Sequence, residues 1–490
     1  MKKFSKIVFH LIFSMLFLAS TGSFCPASSA RDTGYQAIPG LMDLRSTFSD
    51  GSHSIEDLAR IADSRGFKVL FINDHDRISI SYGVPPFRNI LRYKKELPSI
   101  MTNGPRKYLD EIRRVSEKYP GMIIIPGCET SAYYYWTGSW FKKDLMINEY
   151  DRRMLITNLT DPGDYNLPVL NNKLSLRYTI KLMPGMIIFI LPLLAGIIIL
   201  VLWRKSHIIA GLLLTVFSVL AIIDYNPFRS SLFSPYNGDQ GIAPYQEVID
   251  YINKKGGFSF WNYPEQKSGA RKYGPIQTST PVYPQVLNES KGYTGFAALY
   301  GEYTTAARPG HEWDLSLNEY LSGQRKNPPW GISTADFHED GRLNIKLGAF
   351  VTTFLVKESS KDGILEALKN GKFYCSRGDG TDWPVLEYFN ITGQDNKKAF
   401  MGDTLKIEAN PVITFKVVYK NSQSKAVAID LIRGGKLIKT FTGNTPMEIT
   451  YTDNDIGSGD RTYYRLMDEG EHLVANPVFV TWDADVKTPR

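Results

Sequence analysis

Val69-Leu70-Phe71-Ile72-Asn73-Asp74-His75-Asp76 is the stretch whose reading decides the fold. Its first four residues form an unbroken apolar run, the pattern of a strand buried on both faces of a parallel sheet. Asp74 and His75 follow that strand. Working upstream, Ser54-Ile55-Glu56-Asp57 has the Ser-x-x-Asp form of a capping box, and Ile55, Leu58, Ala59 and Ala62 recur at helical spacing until Gly66. Working downstream, the same unit of helix then strand returns twice, as Tyr108 to Tyr119 with Met122 to Ile125, and as Tyr245 to Lys254 with Phe258 to Trp261. Alternation of this kind predicts an α/β barrel, in which chemistry sits at the carboxyl ends of the strands.

Those ends carry a consistent set of residues. Glu129 follows the strand at Met122 to Ile125, and Asp336-Phe337-His338 follows Trp330-Gly331-Ile332-Ser333. Carboxylates and imidazoles brought to one rim from separate strands can hold divalent metals, which need converging oxygen and nitrogen donors. An exposed Asp or His in a single loop is ordinarily just solvated, so the order and strand context carry the signal.

A chain of 490 residues exceeds one core and leaves room for a barrel of about 250 residues plus further domains. Basic residues outnumber acidic ones 57 to 50, for a net charge of +7, but Lys and Arg are scattered along the chain. No nucleic acid partner is expected from such a distribution.

Two segments read as membrane-related. Residues 1–30 place Lys2, Lys3 and Lys6 before the apolar run Ile7 to Ala19 and end on Ser28-Ser29-Ala30, the layout of a signal peptide. The bulky Phe24 before Cys25 argues against a lipid anchor there. Gly185 to Trp203 and Ile208 to Ile223 are uncharged and are separated by Arg204-Lys205-Ser206-His207. This predicts a transmembrane hairpin in contact with lipid over 185–223, the second helix reaching only about 24 Å at 1.5 Å per residue. Loop 204–207 then lies in the cytoplasm under the positive-inside rule, and both large segments lie on the exported side. In an oxidising compartment Cys128 and Cys375 are free to form a disulfide, two buried thiols being the alternative.

The motifs, taken in order from about Gly40 to Tyr374, resemble those of the PHP (polymerase and histidinol phosphatase) superfamily. Asp43-Leu44-Arg45-Ser46-Thr47-Phe48-Ser49-Asp50-Gly51 looks like the family's His-x-His-Ser-Thr-Phe-Ser-Asp-Gly. Asn73-Asp74-His75-Asp76 looks like Thr-Asp-His-Asp, Pro126-Gly127-Cys128-Glu129 like Pro-Gly-x-Glu, and Asp336-Phe337-His338 like Asp-x-His. The resemblance implies a distorted (βα)7 barrel binding two or three metals (zinc, manganese or iron) that activate water against a phosphate ester. It also implies metal ligands at Asp50, His75, Glu129, Asp336 and His338, with Asp43 and His53 as possible additions.

Departures from the family pattern are equally specific. Asp43 and Arg45 occupy the opening His pair, Arg153 stands where a His precedes the apolar Met154-Leu155-Ile156, and Tyr263 replaces the His of a His-Pro motif. A guanidinium stays protonated and has no lone pair for a metal, so Arg45 and Arg153 cannot be ligands. They can supply the positive charge that a pocket of Asp50, Glu129 and Asp336 requires.

Beyond Cys375 the pattern changes. The helix Ile364 to Lys372, closed at Gly371, ends the barrel, and β-rich runs such as Val412 to Tyr419 and Ala426 to Ile432 predict a small antiparallel β-sandwich over 376–490. The expected layout is thus signal peptide 1–30, barrel 31–183, membrane hairpin 184–223, barrel 224–375, and sandwich. Two functions compete: a metal-dependent phosphoesterase on the exported side, and a non-catalytic binding or scaffold protein in which Arg45 and Arg153 replace the metal charge. A phosphate ester or other anionic small molecule is the expected ligand, and two helices are too few for a transporter.

Overall fold

The computed structural model describes residues 34–170, 174–202, 207–267, 269–273, 276–302, 304–342 and 345–482. The expected signal peptide lies outside the described residues, as do Arg204, Lys205 and Ser206 of the interhelical loop.

The chain forms a mixed α/β fold around one large sheet. Seven strands make its first part: β1 (Gln36–Leu44), β2 (Val69–Ile72), β3 (Ile123–Thr130), β4 (Arg153–Thr157), β5 (Phe258–Asn262), β6 (Gly295–Leu299) and β7 (Trp330–Ser333). They are hydrogen-bonded in chain order, and β8 (Phe350–Val356) adds antiparallel to β1. The run returns on itself, because Ser333 N of β7 donates to Thr352 Oγ1 of β8 at 3.1 Å.

Helices alternate with strands where the sequence expects them. Helix α1 (Ile55–Ser64) starts at Ser54, whose Oγ accepts from Asp57 N at 3.0 Å, and it buries Ile55, Leu58, Ala59 and Ala62. Such a cap is worth about 1 kcal/mol, and each large buried aliphatic side chain about 1.5–3 kcal/mol. Helix α2 (Pro105–Lys118) precedes β3 in the same way.

Strand β4 departs from the expected parallel order, running antiparallel to both β3 and β5. A parallel neighbour needs a crossover, usually helical. The segment between β3 and β4 instead holds two short strands, Tyr135–Thr137 and Met146–Asn148, of a four-stranded side sheet.

Between β4 and β5 the chain detours through α3 (Ile187–Leu202) and α4 (Ile208–Tyr225), then returns along α5 (Ala243–Lys254). Counted from Thr179, the first apolar span has 24 residues and the second 18, both long and apolar enough to cross a membrane. The second ends at Tyr225, two residues later than the sequence predicts, which lengthens it to about 27 Å. The pair packs closely: a Cβ added to Gly196 would stand 2.6 Å from Thr215 Oγ1, and one on Gly211 2.9 Å from Ile199 Cγ2.

After α6 (Glu312–Leu321) and α7 (Lys361–Asn370), closed by Gly371 at φ +69°, the chain enters β9 (Phe373–Arg377). This strand pairs with β8 on one side and with Leu473–Ala475 on the other, so the expected boundary at 375/376 falls inside a strand of the continuous sheet. The later strands bury Leu386, Phe389, Phe415, Leu431 and Leu466 in a second core. Their pairing is antiparallel except for Thr404–Ile407, which runs parallel to Val478–Trp482. Arg465 of this region reaches Asp314 of α6 through a fully buried ion pair at 2.7 Å.

Cys128 and Cys375 are free and buried, so the structure holds no disulfide between them. The Cys375 thiol is 3.2 Å from Gly331 O, to which it donates.

Candidate metal centre

Four chain segments meet at the carboxyl ends of β1, β2, β3 and β7, joined by their own backbones. Arg45 N donates to Phe337 O at 2.9 Å and Phe337 N to Asp43 O at 3.1 Å, which ties the 336–338 segment to β1. Asp76 N donates to Glu129 O at 2.9 Å and Glu129 N to Asp74 O at 3.0 Å, which ties the end of β2 to β3. Asp43, Tyr263 and Asp336 all adopt positive φ (67°, 47° and 46°). Non-glycine residues pay about 1–2 kcal/mol for that region, and such strain concentrates at functional sites.

Asp74 is buried and not aimed into the centre. Its oxygens accept from Ser46 N (2.8 Å), Ser46 Oγ (2.6 Å) and Ser49 Oγ (2.6 Å), which fixes the loop carrying Asp50. Gly51 is required in that loop, since a Cβ there would stand 2.4 Å from Arg45 O.

The centre divides into two halves. In the outer half, Asp50 Oδ2 is 3.5 Å from His75 Nε2 and 3.2 Å from His338 Nε2, and the ligand atoms of all three lie within 4.8 Å of one another. Each imidazole has an acceptor at its other nitrogen. His75 Nδ1 is 3.2 Å from Glu129 Oε2, and His338 Nδ1 is 2.6 Å from Asp336 O. With a cation bound, acceptors in those places would hold the proton at Nδ1 and free each Nε2 lone pair for the ion, whereas without one Nε2–H faces the Asp50 carboxylate. Tetrahedral ligands at about 2.0–2.1 Å from an ion stand roughly 3.3 Å apart, so the donor set fits one divalent cation.

Burial works against the Asp50 carboxylate, but hydrogen bonds from His338 and His75 outweigh it and hold its pKa well below the usual range. For His338, burial works against the proton, and the carboxylates of Asp50 and Asp336 overcome it, raising the pKa.

The inner half is filled by arginines. Arg45, fully buried, places Nη1 2.5 Å from Asp43 Oδ1, Nη2 2.9 Å from Glu129 Oε1 and Nη2 3.3 Å from Asp336 Oδ1. Arg153 Nη1 lies 2.6 Å from Glu129 Oε2, and its Nη2 lies 3.1 Å from Asp151. Asn262 Nδ2 adds hydrogen bonds to Glu129 Oε1 (2.8 Å) and Asp43 Oδ2 (3.0 Å), and the Tyr263 hydroxyl donates to the same Asp43 oxygen. A carboxylate has about four lone-pair positions, and those of Glu129 are all engaged. Glu129 therefore has no position left for a metal.

Burial raises Asp43 and opposes ionisation of Glu129. Arg45 and then Arg153 outweigh that effect at Glu129 and hold its pKa low.

Of the residues the sequence singles out, Asp50, His75 and His338 come together as a donor set. Glu129, Asp43 and Asp336 share the rim but pair with arginine. His53 stands apart from the triad, its ring stacked on Phe337 and its Nε2 accepting from Asp340 N at 3.3 Å. Asn262 escapes sequence reading, because its neighbour Tyr263 occupies the motif position. A cavity of about 240 Å³ lined by Asp50, His75, Arg77 and Arg153 opens on one side, and one of about 450 Å³ lined by Tyr263, Asp336, His338 and Arg342 on the other.

No protein-family model and no curated protein matches the chain. Solved structures do. A two-domain protein from Bacteroides vulgatus, described as containing a PHP-like metal-dependent phosphoesterase, matches over 88% of this chain and 91% of its own, at 13% identity and a TM-score of 0.36. A protein from Bifidobacterium adolescentis described as a metal-dependent phosphoesterase matches over 61% of this chain and 87% of its own, at 14% identity and a TM-score of 0.27. An amidohydrolase from Chromobacterium violaceum, with bound sulfate and no metal, matches over 62% of this chain and 88% of its own, at 12% identity and a TM-score of 0.27.

Proposed function

We propose that this chain is a membrane-anchored phosphoesterase of the PHP type, built on a seven-stranded barrel, whose metal cluster is reduced to one divalent ion on Asp50, His75 and His338. The observation that carries this reading is the saturation of Glu129 by Arg45, Arg153 and Asn262 beside a triad whose Nε2 atoms converge on Asp50. Two imidazoles and one carboxylate are a ligand set used by hydrolytic metal centres, which keep a fourth position open. When bound there, the ion supplies Lewis acidity and lowers the pKa of water.

The chain's own residues would do the rest. Arg153, a quarter exposed, borders the cavity of Asp50 and His75 and can receive an anionic oxygen of a phosphate ester. Glu129 holds His75, and the Asp336 carbonyl holds His338, so the donor set needs little reorganisation. Helices α3 and α4 anchor this machinery with both large segments on the exported side, and 376–490 forms an accessory β domain.

A second reading is a non-catalytic anion-binding protein. Arg45 favours it, because its positive charge already balances the deep carboxylates without an ion. Metal analysis of the purified full chain, with assays on aryl phosphate mono- and diesters, separates the two. About one equivalent of zinc, manganese or iron with hydrolysis that is lost in His338→Ala supports the first reading. Metal-free protein that binds phosphate esters without turnover supports the second.

A further inference from the structure

A hairpin of Ile78–Gly83 and Arg92–Leu97 runs from the candidate centre to the end of α4. Its tip is fastened to that helix. Asp224 Oδ1 accepts from Asn89 N at 2.6 Å and from Ile90 N at 3.3 Å, and Asn89 Nδ2 donates to Asp224 O at 2.7 Å. The Phe87 ring packs 5.6 Å from that of Phe217. Phe217 is eight residues before Tyr225, where α4 ends, so Phe87 sits on the order of 10 Å below the helix end. Val84 and Leu91, flanking the tip, are exposed apolar residues.

Between this hairpin and the helix exit lies a cavity of about 420 Å³. Arg88, Arg92 and Arg229 line it against a single carboxylate, Asp224, whose Oδ1 is occupied by the hairpin tip. Arg88 is held over the Tyr236 ring at 4.0 Å, and Arg229 Nε caps the carbonyls of Tyr225 and Asn226 at 3.0 Å each. The lower wall is apolar: Ile223 and Phe228 are lining residues that are exposed and continuous with the outer surface of α4.

From this geometry we infer that the cavity binds the phosphate of an anionic membrane lipid, with the acyl chains lying along Ile223 and Phe228. The inference rests on the reading of α3 and α4 as membrane spans. Guanidinium groups recognise phosphate oxygens by charge-assisted, often bidentate hydrogen bonds. A cavity at the water boundary of a span with one apolar wall selects a phosphate that carries a lipid tail, and a soluble phosphate gains nothing from that wall. Basic pockets beside membrane helices take lipid head groups in this way.

The test uses the full chain purified in neutral detergent and titrated with dioleoylphosphatidylglycerol, with dioleoylphosphatidylcholine and glycerol 1-phosphate as comparison probes, read by native mass spectrometry. The expected result is a one-to-one phosphatidylglycerol adduct at least tenfold more abundant than the phosphatidylcholine adduct, and reduced at least tenfold in Arg88→Gln/Arg229→Gln. Arg113→Gln/Arg114→Gln, an equal charge change on α2, should leave it unchanged. If the double variant does not fold, Arg92→Gln is read the same way. Equal binding of the two lipids, undiminished binding by the variants, or glycerol 1-phosphate binding as tightly as phosphatidylglycerol overturns the inference. Alkaline carbonate extraction keeps the two failures apart: release of the chain from membranes sinks the spanning reading itself, whereas retention without lipid preference sinks only the lipid site.

Discussion

Arg45 Nη2 stands 2.9 Å from Glu129 Oε1, fully buried, with Nη1 of the same guanidinium 2.5 Å from Asp43 Oδ1. One side chain thus joins the end of β1 to the end of β3. Removing one partner of a buried ion pair leaves an uncompensated charge.

Arg45→Met should therefore destabilise the protein by about 3–5 kcal/mol, because Asp43 and Glu129 stay buried without their common cation. Arg45→Lys should recover less than half of that loss, since one ammonium cannot span Asp43, Glu129 and the Asn73 carbonyl together. Adding Glu129→Gln to Arg45→Met should restore part of the stability. Chemical denaturation of detergent-solubilised protein measures all three.

Arg153 opposes cation binding at the triad. Its Nη1 lies 3.3 Å from His75 Nε2, the atom offered to a metal. Like charges at such range repel by several kcal/mol even at moderate dielectric, so Arg153→Gln should tighten zinc or manganese binding by about tenfold or more. Isothermal titration of the metal into wild type and variant checks this, and unchanged affinity would place the ion elsewhere.

The order of the motifs made the rim legible from sequence alone. Asp50, His75 and His338 stand together at the ends of β1, β2 and β7: the strands Val69–Ile72 and Trp330–Ser333 are as expected, whereas β1 has no plain apolar run and its Ser-Asp-Gly turn is pinned by Asp74. What could not be read was the state of Glu129, since that depends on side chains from β1, β4 and β5 arriving at one carboxylate. The antiparallel course of β4 was hidden for a similar reason. Its apolar run is compatible with either direction, and only the missing crossover decides. The hairpin at Ile78–Leu97 did carry a signal, Ile and Ser alternating over Ile78-Ser79-Ile80-Ser81, but its serine face is the buried one. A pattern reading would have turned it inside out.

Away from the centre, Glu149 is buried beside Arg152 at 2.6 Å, and burial, only partly offset by that arginine, raises its pKa to about 7. An acid whose folded pKa lies above its unfolded value adds stability below the unfolded pKa, and that contribution is lost as pH rises through the folded pKa. Stability should thus fall between about pH 4.5 and pH 7, by at most about 3–4 kcal/mol from this group. Glu149→Gln should flatten that slope even if it lowers stability overall, as thermal unfolding across the same range would reveal.

On the proposed function, one cation is held by Asp50, His75 and His338 while guanidinium groups fill the inner half of the centre. Anomalous diffraction from crystals of the full chain grown with manganese or zinc tests it most directly. One peak per chain is expected, within bonding distance of Asp50 Oδ2, His75 Nε2 and His338 Nε2. A peak bonded to Glu129 or Asp43, with Arg45 or Arg153 swung away from them, would contradict it.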